Sequence, residues 1–339
     1  MPLVTTRANA ANIGYLSRKK LLPYMWVIVG DGGKLWTSTS STASSWTSRT
    51  SSFGSTAIQD VASNGTMFVA VGQGGKLATS TDGITWTQRT SSFGTSSINY
   101  VAYGADGYWV ASGEGGKIAT STDGITWTQR TSGTSNDLTS VAYGNGLWLI
   151  GESGGDYLIR ATNPTSTWTS TPCTLSNSHF QQSIYYWKQQ SIWVLGSDGG
   201  TTGALASSTD GITWTARTSA FTGLALGGVF ISNSSTLAFA SLKSLVFPTT
   251  SDVQSSTNGT TWTDRTLADS TMIPQNGAVD DTGFMAIVGP LYTSSGGGNG
   301  ISVQTSSNGT TWTSRTSPST SVNDFAYGFC HSYGLPTIK

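Results

Sequence analysis

The sequence predicts an all-β protein, a seven-bladed β-propeller with four antiparallel strands in each blade. Three observations support this fold. The chain of 339 residues is only 10% charged and contains 42 Gly, 13 Trp and 12 Tyr, a composition that favours strands and tight turns over helices. Gly-rich turns divide it into short, β-branched or alternating runs. A Trp-Thr pair also recurs, at Trp46, Trp86, Trp127, Trp168, Trp214, Trp262 and Trp312.

The distance between successive pairs is 40 to 50 residues, which is the length of one four-stranded propeller blade. The third repeat shows the pattern most clearly. We predict its strands A, B, C and D at Ile98 to Gly104, Tyr108 to Gly113, Lys117 to Thr122 and Ile125 to Thr131. Each run is short and ends at a Gly-containing turn, as expected for strands joined by hairpins.

The two ends of the repeat complement each other. The first copy begins with strand B and has no strand A before it, whereas residues 322–328 (VNDFAYG) match strand A of the third repeat and have nothing after them. We therefore expect the C-terminal strand to complete blade one and close the ring, which removes exposed sheet edges. The predicted division is an N-terminal arm at 1–23, the propeller at 24–331 and a C-terminal tail at 332–339.

Blades four to seven are longer than blades one to three. In a propeller the B–C turns and the D-to-A connections share one face, and the longest additions fall there. Loops on a rigid scaffold are a common place for function, so this face is the predicted binding surface. The additions are Thr171 to Gln182, Ser197 to Gly203, Ser241 to Gln254 and Pro290 to Gly300.

Charge and cysteine content exclude several classes of function. Seventeen basic and seventeen acidic residues give no net charge, which argues against nucleic-acid binding. Cys173 and Cys330 are far apart and outside any metal-binding motif. They either form one disulfide or stay unpaired and pack as small apolar side chains. The apolar run near residue 26 aligns with an internal strand, so we expect neither a signal peptide nor a membrane span, and we predict no cofactor and no metal site.

One motif resembles a known repeat. The segment STDGITW occurs at Ser80 to Trp86, Ser121 to Trp127 and Ser208 to Trp214, and related segments contain Asn258 and Asn308. These segments resemble the Asp-box (BNR) repeat of sialidase-shaped propellers, although the box is one residue shorter here. The low-complexity WTxRTS repeats are also similar to those of propellers in bacteriophage tail and virion proteins, and more distantly to those of photosystem II assembly factors.

The box residues themselves are predicted to be structural. Asp82, Asp123 and Asp210 share their position with the two asparagines, so the position needs turn geometry rather than charge. Asp-Gly at this point predicts a two-residue type I′ hairpin between strands C and D. The box tryptophans are expected to pack between blades.

The sialidase resemblance implies three arginines that clamp a carboxylate, and this chain does not supply them. Six arginines recur three residues after the box tryptophan, two lie in the arm, and Arg160 alone is unassigned. Glu114 and Glu152 occupy one turn position in successive blades, where Asp31 and Gln73 also occur, so we expect them at the surface. We therefore expect that the chain is not an enzyme, with a glycan hydrolase as an alternative.

The predicted function is a structural or adhesive component of a phage virion, in the tail or a surface fibre. Its expected partners are other virion proteins, bound through the basic arm, and host-surface glycans, bound through the loops of blades four to seven. A protein-binding assembly factor is a further alternative. The candidate glycan contacts are Tyr185, Tyr186, Trp187, Phe247, Tyr292 and His179, and the arm residues are Arg7, Arg18, Lys19 and Lys20. Packing inside the propeller is an equally good interpretation for Tyr186 and Trp187.

Overall fold

The computed structural model describes residues 21–154, 157–173, 182–197, 204–218, 229–244, 250–269, 271–292, 298–321 and 325–332. Within these residues, 28 strands form seven antiparallel sheets of four strands each. The inner strand of every sheet contacts the inner strand of the next, so that the sheets form a ring. The predicted seven-bladed propeller is confirmed.

Blades 1 to 3 are compact, with strands of three to six residues. From the inside outwards, blade 1 contains β28 (Ala326–His331), β1 (Trp26–Gly30), β2 (Leu35–Ser38) and β3 (Thr47–Arg49); blade 2 contains β4 (Ile58–Ser63), β5 (Phe68–Gly72), β6 (Leu77–Ser80) and β7 (Thr87–Arg89); blade 3 contains β8 (Ile98–Tyr103), β9 (Trp109–Gly113), β10 (Ile118–Ser121) and β11 (Thr128–Arg130). Single-turn 3₁₀ segments occupy the B–C turns at Asp31–Gly33, Gln73–Gly75 and Glu114–Gly116.

Blades 4 to 7 follow the same order, and their second and third strands are longer. Blade 4 contains β12 (Leu138–Gly144), β13 (Leu147–Glu152), β14 (Tyr157–Ala161) and β15 (Thr169–Pro172); blade 5 contains β16 (Gln182–Trp187), β17 (Ile192–Ser197), β18 (Ala204–Ser208) and β19 (Thr215–Arg217); blade 6 contains β20 (Val229–Ser232), β21 (Leu237–Ser244), β22 (Thr250–Ser256) and β23 (Thr263–Thr266); blade 7 contains β24 (Asn276–Val279), β25 (Met285–Tyr292), β26 (Gly298–Ser306) and β27 (Thr313–Arg315). A further 3₁₀ turn lies at Lys188–Gln190.

The ring closes through β28, which pairs with β1 in antiparallel orientation. The predicted closure is thereby confirmed, but the strand lies further along the chain than the predicted 322–328. Val29 pairs with Gly328, which therefore takes the place that Tyr100 has in blade 3. A Cβ on Gly328 would lie 2.6 Å from the Cα of Asp60, so only glycine fits there. Packing against blade 2, rather than the sequence similarity of the VNDFAYG segment, sets this register.

The hydrophobic core is divided among the seven blade interfaces. Among the described residues, seven apolar clusters occur, and each combines side chains of two adjacent blades. The box tryptophan of each blade packs into the cluster shared with the preceding blade; Trp127 of blade 3, for example, joins Val69 and Val71 of blade 2. Because each blade buries one sheet face against either neighbour, no blade has a core of its own.

The two-residue C–D hairpin predicted from Asp-Gly is wrong. Thr120 pairs with Thr128, so a loop of seven residues joins the strands, and among its residues only Gly124 has a positive φ, at +71°. Consecutive left-handed residues occur instead at the B–C turn, where Gly115 and Gly116 have φ of +63° and +69°. The side chain of Asp123 organises the longer loop, which removes the need for a second positive φ.

Candidate functional site

The Asp boxes are closed hydrogen-bond units at the C–D loops. The Oδ1 atom of Asp123 accepts the amides of Ile125 and Thr126 at 2.8 and 2.7 Å and the hydroxyl of Ser121 at 2.9 Å. Asn258 and Asn308 accept the equivalent bonds at 2.9 to 3.1 Å. The same turn therefore forms with or without a charge.

The carboxylates of the boxes are held ionised by these bonds. For Asp123, burial raises the pKa, but the amides of Thr126 and Ile125 outweigh it and lower the pKa to about 2. The same contacts lower the pKa of Asp210 to about 2. Among the described residues, no group of three or more His, Cys, Asp or Glu is placed to hold a metal ion. The described contacts indicate that the Asp or Asn of each box stabilises its own loop.

Asp123→Asn should leave the free energy of unfolding within about 0.5 kcal/mol of wild type, because the amide oxygen accepts the same bonds. Asp123→Ala should cost about 1 kcal/mol or more, since two amides lose their acceptor, as at a helix N-cap. Urea denaturation at pH 7 measures both, with Asn308→Asp as the reverse control. An Asn variant as unstable as the Ala variant would show that the charge is needed.

A second repeated contact is a hydrogen bond from an arginine to a hydroxyl group, which links the two outer strands of every blade. An arginine on strand D donates from Nε to a hydroxyl on strand C at 2.7 to 3.0 Å; the pairs are Arg49–Thr37, Arg89–Thr79, Arg130–Thr120, Arg217–Ser207, Arg265–Ser255 and Arg315–Thr305. In blade 4 the pair is reversed, because Arg160 lies on strand C and donates to Thr171 on strand D at 2.7 Å. Arg160, which had no counterpart in the sequence repeat, therefore belongs to the same set.

Exchanging the two residues of blade 4 tests this equivalence. Arg160→Thr alone removes one hydrogen bond and should cost about 1 kcal/mol of unfolding free energy. The double variant Arg160→Thr/Thr171→Arg restores the arrangement of the other six blades and should recover most of that loss. A double-mutant cycle by urea denaturation measures the coupling; strictly additive effects of the two substitutions would contradict the exchange.

The predicted glycan contacts on the inner strand of blade 5 are used in packing between blades. The ring of Tyr186 lies 4.9 Å from that of Trp193 and covers Gly144 of blade 4. Trp187 is fully buried and donates to the carbonyl oxygen of Asn233 at 3.2 Å. The hydroxyl groups of Tyr185 and Ser232 are 2.9 Å apart. The structure places these three aromatic residues away from the loop face.

The remaining candidates are not brought together by the described part of the chain. Phe247 and His179 lie outside the described residues, as do the arm residues Arg7, Arg18, Lys19 and Lys20. Tyr292 ends β25 on the loop face.

The expectation that both glutamates lie at the surface is wrong for Glu152, which is 8% exposed, and both carboxylates have local contacts. Glu114 accepts the amide of Ser97 at 2.9 Å, and Glu152 accepts Thr134 Oγ1 at 2.5 Å and Asn136 Nδ2 at 2.8 Å. Each carboxylate therefore fixes the D-to-A connection that enters its own blade.

Sequence reasoning also missed the burial of Asp60. The carboxylate of Asp60, on the inner strand of blade 2, is 8% exposed and accepts the amide of Val101 of blade 3 at 3.0 Å. Its other oxygen lies 3.5 Å from Nδ2 of Asn276 of blade 7. Burial raises its pKa to about 7, although the amides of Val101 and Val61 act in the opposite direction. Nothing in the sequence around Asp60 predicts its burial, because the residues that cover it, Val101, Asn276 and Gly328, come from blades 3, 7 and 1.

The face with the B–C turns is the uneven one. In blade 3 the B–C hairpin ends with the pair Ser112–Ile118, whereas in blade 6 it continues to Ser244–Thr250 and in blade 7 to Tyr292–Gly298. Three to five further residues on each strand project these hairpins by about 10 Å or more, at 3.3 Å per residue. Part of the predicted insertions is therefore regular strand, and two adjacent blades form a raised edge.

Hydrogen bonds hold the base of the raised hairpin of blade 7. Gln304 is fully buried and exchanges hydrogen bonds with the main chain of Asp269, at 2.9 and 3.3 Å. The amide of Ile273 donates to the carbonyl oxygen of Pro290 at 2.9 Å. On the same face, an open cleft of about 680 Å³ lies in blade 3 and includes Lys117 and Arg130 among its walls. The described residues thus supply an asymmetric surface for contact.

Comparisons with known proteins identify the fold. No family model matches the sequence, and no curated protein matches it. Three solved structures are similar: YCF48 from Cyanidioschyzon merolae (TM-score 0.57, 16% identity, 77% of this chain and 87% of that one), YCF48 bound to a D1 peptide (0.54, 14%, 72% and 79%) and a streptogramin B lyase (0.64, 10%, 82% and 88%). At these identities the likeness shows a shared propeller fold.

The comparison with the lyase corrects the expectation that this chain is not an enzyme. That expectation rested on the shortage of charged residues and on the absence of a sialidase arginine set. An enzyme uses the same scaffold, so the propeller and the missing sialidase set do not exclude catalysis. Among the described residues, no helix is long and apolar enough to cross a membrane.

Proposed function

We propose that this propeller is a binding platform and serves as a structural or adhesive component of a bacteriophage virion. The observation that carries the proposal is the pair of raised B–C hairpins in blades 6 and 7, β21–β22 and β25–β26, on an otherwise regular ring. The opposite face carries the C–D box loops, whose aspartates and asparagines bond the amides of their own loops. Binding loops on a rigid scaffold give affinity at a low cost in conformational entropy.

The virion assignment is supported by the style of the sequence, in which low-complexity WTxRTS repeats resemble those of phage tail and virion propellers. The proposed partners are neighbouring virion proteins, engaged by the basic arm, and host-surface glycans, engaged by the raised hairpins. Few charged residues lie in the raised hairpins. Segment 289–302 is mostly Ser, Thr and Gly, segment 241–252 contains five Ser and Thr residues, and each segment contains a single aromatic residue. Such side chains suit sugar hydroxyl groups and sugar rings.

Peptide binding is a second proposal, favoured by one specific comparison. A propeller of the same fold, YCF48, has been solved with a D1 peptide bound. The raised edge of β22 extends beyond its last pair with the outer strand, Asp252–Thr266, and offers backbone groups for strand addition, whereas the amide of Ile301 in β26 is already bonded to Ser319. This alternative predicts binding to a polypeptide in preference to a glycan.

Shortening a raised hairpin tests the binding surface. Residues 241–252 of blade 6 are replaced by Gly-Glu-Gly-Gly-Lys, the turn that joins the equivalent strands of blade 3. The variant should fold and enter phage particles but reduce adsorption of the phage to host cells at least tenfold, because the contact surface is removed. The matched control is Ile125→Thr on the opposite face, where blades 6 and 7 carry Thr260 and Thr310.

Mass spectrometry of purified virions and incubation of the protein with host glycans complete the design. Presence of the chain in particles and hairpin-dependent glycan binding support the proposal. Absence from particles would refute the virion role, binding only to polypeptides would favour the second proposal, and release of sugar would show a glycan hydrolase.

A further inference from the structure

The residues just before β1 lie against blade 2 rather than blade 1. The amide of Leu22 donates to the carbonyl oxygen of Gly65, in the A–B turn of blade 2, at 2.8 Å. The sulfur of Met25 fills the space in which Gly83, in the box loop of blade 2, would carry a side chain. Leu22 and Met25 are buried in one cluster with Trp86, the box tryptophan of that blade. The described end of the N-terminal arm is therefore anchored beside the box loop of blade 2.

The same residues contact the end of the closing strand. The amide of Met25 donates to the hydroxyl oxygen of Ser332 at 3.0 Å, and the amide of Ser332 donates to the carbonyl oxygen of Met25 at 2.9 Å. The hydroxyl group of Ser63, the last residue of β4, donates to the carbonyl oxygen of Ser332 at 2.9 Å. Ser332 directly follows β28, so the seam between blades 1 and 2 is bridged where the arm enters the propeller.

The face on which the arm enters is acidic. In an antiparallel blade the A–B turn and the C–D loop lie on the same face. Over the seven blades, the described A–B turns and C–D loops contain one basic residue, Lys188, and six aspartates: Asp82, Asp106, Asp123, Asp210, Asp280 and Asp281. The arm contains four basic residues, three of them consecutive at 18–20, and no acid. The charges of the arm and of this face are therefore complementary.

The box loop of blade 2 presents an apolar side chain next to a charge. Ile84 is 47% exposed and follows Asp82 by two positions. Burial raises the pKa of Asp82, but the amides of Thr85 and Ile84 outweigh it and lower the pKa, so the carboxylate is ionised at pH 7. The loop itself needs neither side chain, because blade 6 makes the same hydrogen bonds with Asn258 and carries Thr260 in place of the isoleucine.

The length of chain fits this loop. The A–B turn and the C–D loop of one blade are two strand spacings apart, about 10 Å. Residues 18–20 precede Leu22 by two to four positions, which corresponds to about 7 to 14 Å of extended chain. The three cations can therefore reach Asp82 while Leu22 stays bonded to Gly65. The segment 15–21 (YLSRKKL) also carries apolar side chains that suit Ile84.

We propose that residues 15–21 dock on the box loop of blade 2 of the same chain, with their basic side chains beside Asp82 and their apolar side chains on Ile84. The docked arm covers the seam at which the ring closes. A site on the same chain is favoured over one on a second copy, because a short tether gives an effective concentration of about a millimolar or more. The inference goes beyond the proposed function, since a virion protein that binds the arm must first displace it from this site.

Trypsin cleavage after residues 18–20 of the full chain, followed by mass spectrometry, measures how often the arm leaves this loop. The variant Asp82→Asn/Ile84→Thr introduces the box residues of blades 6 and 7. The matched control, Asp210→Asn/Ile212→Thr, makes the same change in the identical STDGITW box of blade 5, three blades away. The blade 2 variant should be cleaved about tenfold faster than the wild type, because the docked arm loses an apolar contact and an ion pair. The control should stay within about twofold of the wild type.

Three outcomes would overturn the proposal. Equal cleavage rates in the wild type and both variants would show that the arm does not dock on a box loop. Equal acceleration in the two variants would show that the charge of the whole face, rather than blade 2, holds the arm. Protection that increases with protein concentration would show that the arm binds a second copy.

A measurement on the wild-type protein covers the case in which a variant does not fold. The cleavage rate of the full chain is divided by that of a synthetic peptide of residues 1–23, which corrects for the effect of salt on trypsin. Between about 0.02 M and about 0.5 M sodium chloride this ratio should rise about threefold or more, because salt screens the ion pairs of the docked arm. A ratio that does not change with salt would overturn the proposal. Neither measurement depends on the virion role.

Discussion

The pairing of β28 with β1 is the interaction on which the rest of the structure depends. It joins residues some 300 positions apart in the chain and supplies the inner strand of blade 1. Without it β1 would expose an unpaired edge to the channel, and blades 7 and 2 would lose the strand that separates them. The apolar clusters on either side of blade 1 include Phe329 and Cys330 of β28. Both clusters are therefore complete only when the ring is closed.

Closure has a simple stereochemical requirement. Neighbouring inner strands approach so closely at the seam that position 328 has no room for a side chain. Elsewhere the blades are stabilised by local side-chain hydrogen bonds, which use most of the charged residues of the repeat. An aspartate or asparagine organises the box loops of blades 2, 3, 5, 6 and 7, and an arginine joins the two outer strands of each blade. At these positions the side chains are needed for their hydrogen bonds rather than for their charge. Asn258 makes the same loop bonds as Asp123, and in blade 4 the arginine and its acceptor exchange strands.

The fold was predictable from the sequence to a large extent because its signals are local and repeated. The Trp-Thr spacing predicts the number of blades, and the Gly-rich turns predict the four strands of blade 3 to within three residues at their ends. The register of β28 was not predictable, because it is set by contact with Asp60 of another blade. The C–D hairpin was misjudged because the bonds of the Asp123 side chain, which replace a second left-handed residue, are not visible in an Asp-Gly dipeptide.

The candidate site was predicted less well, for related reasons. For Tyr186 a glycan contact and packing inside the propeller were both open, and the strand turns its ring onto Trp193 and Gly144 of the neighbouring blade. The raised hairpins lie where insertions were expected, but that they are partly regular strand follows from long-range pairing that composition does not reveal. Asp60 carried no motif, and its burial arises from three other blades. Catalysis is not excluded by the low charge, as the propeller of streptogramin B lyase shows.

Native-state hydrogen exchange of β1 and β28, compared with β5 and β9 in blades made of continuous chain, tests the central role of ring closure most directly. If closure holds the whole ring, the paired amides of Val27 and Val29 should exchange with the same opening free energy as those of Val69 and Val110, because all of them open only when the ring unfolds. Exchange of β1 and β28 at an opening free energy several kcal/mol lower, while the other blades stay protected, would show that the ring persists without its closing strand and would contradict this account.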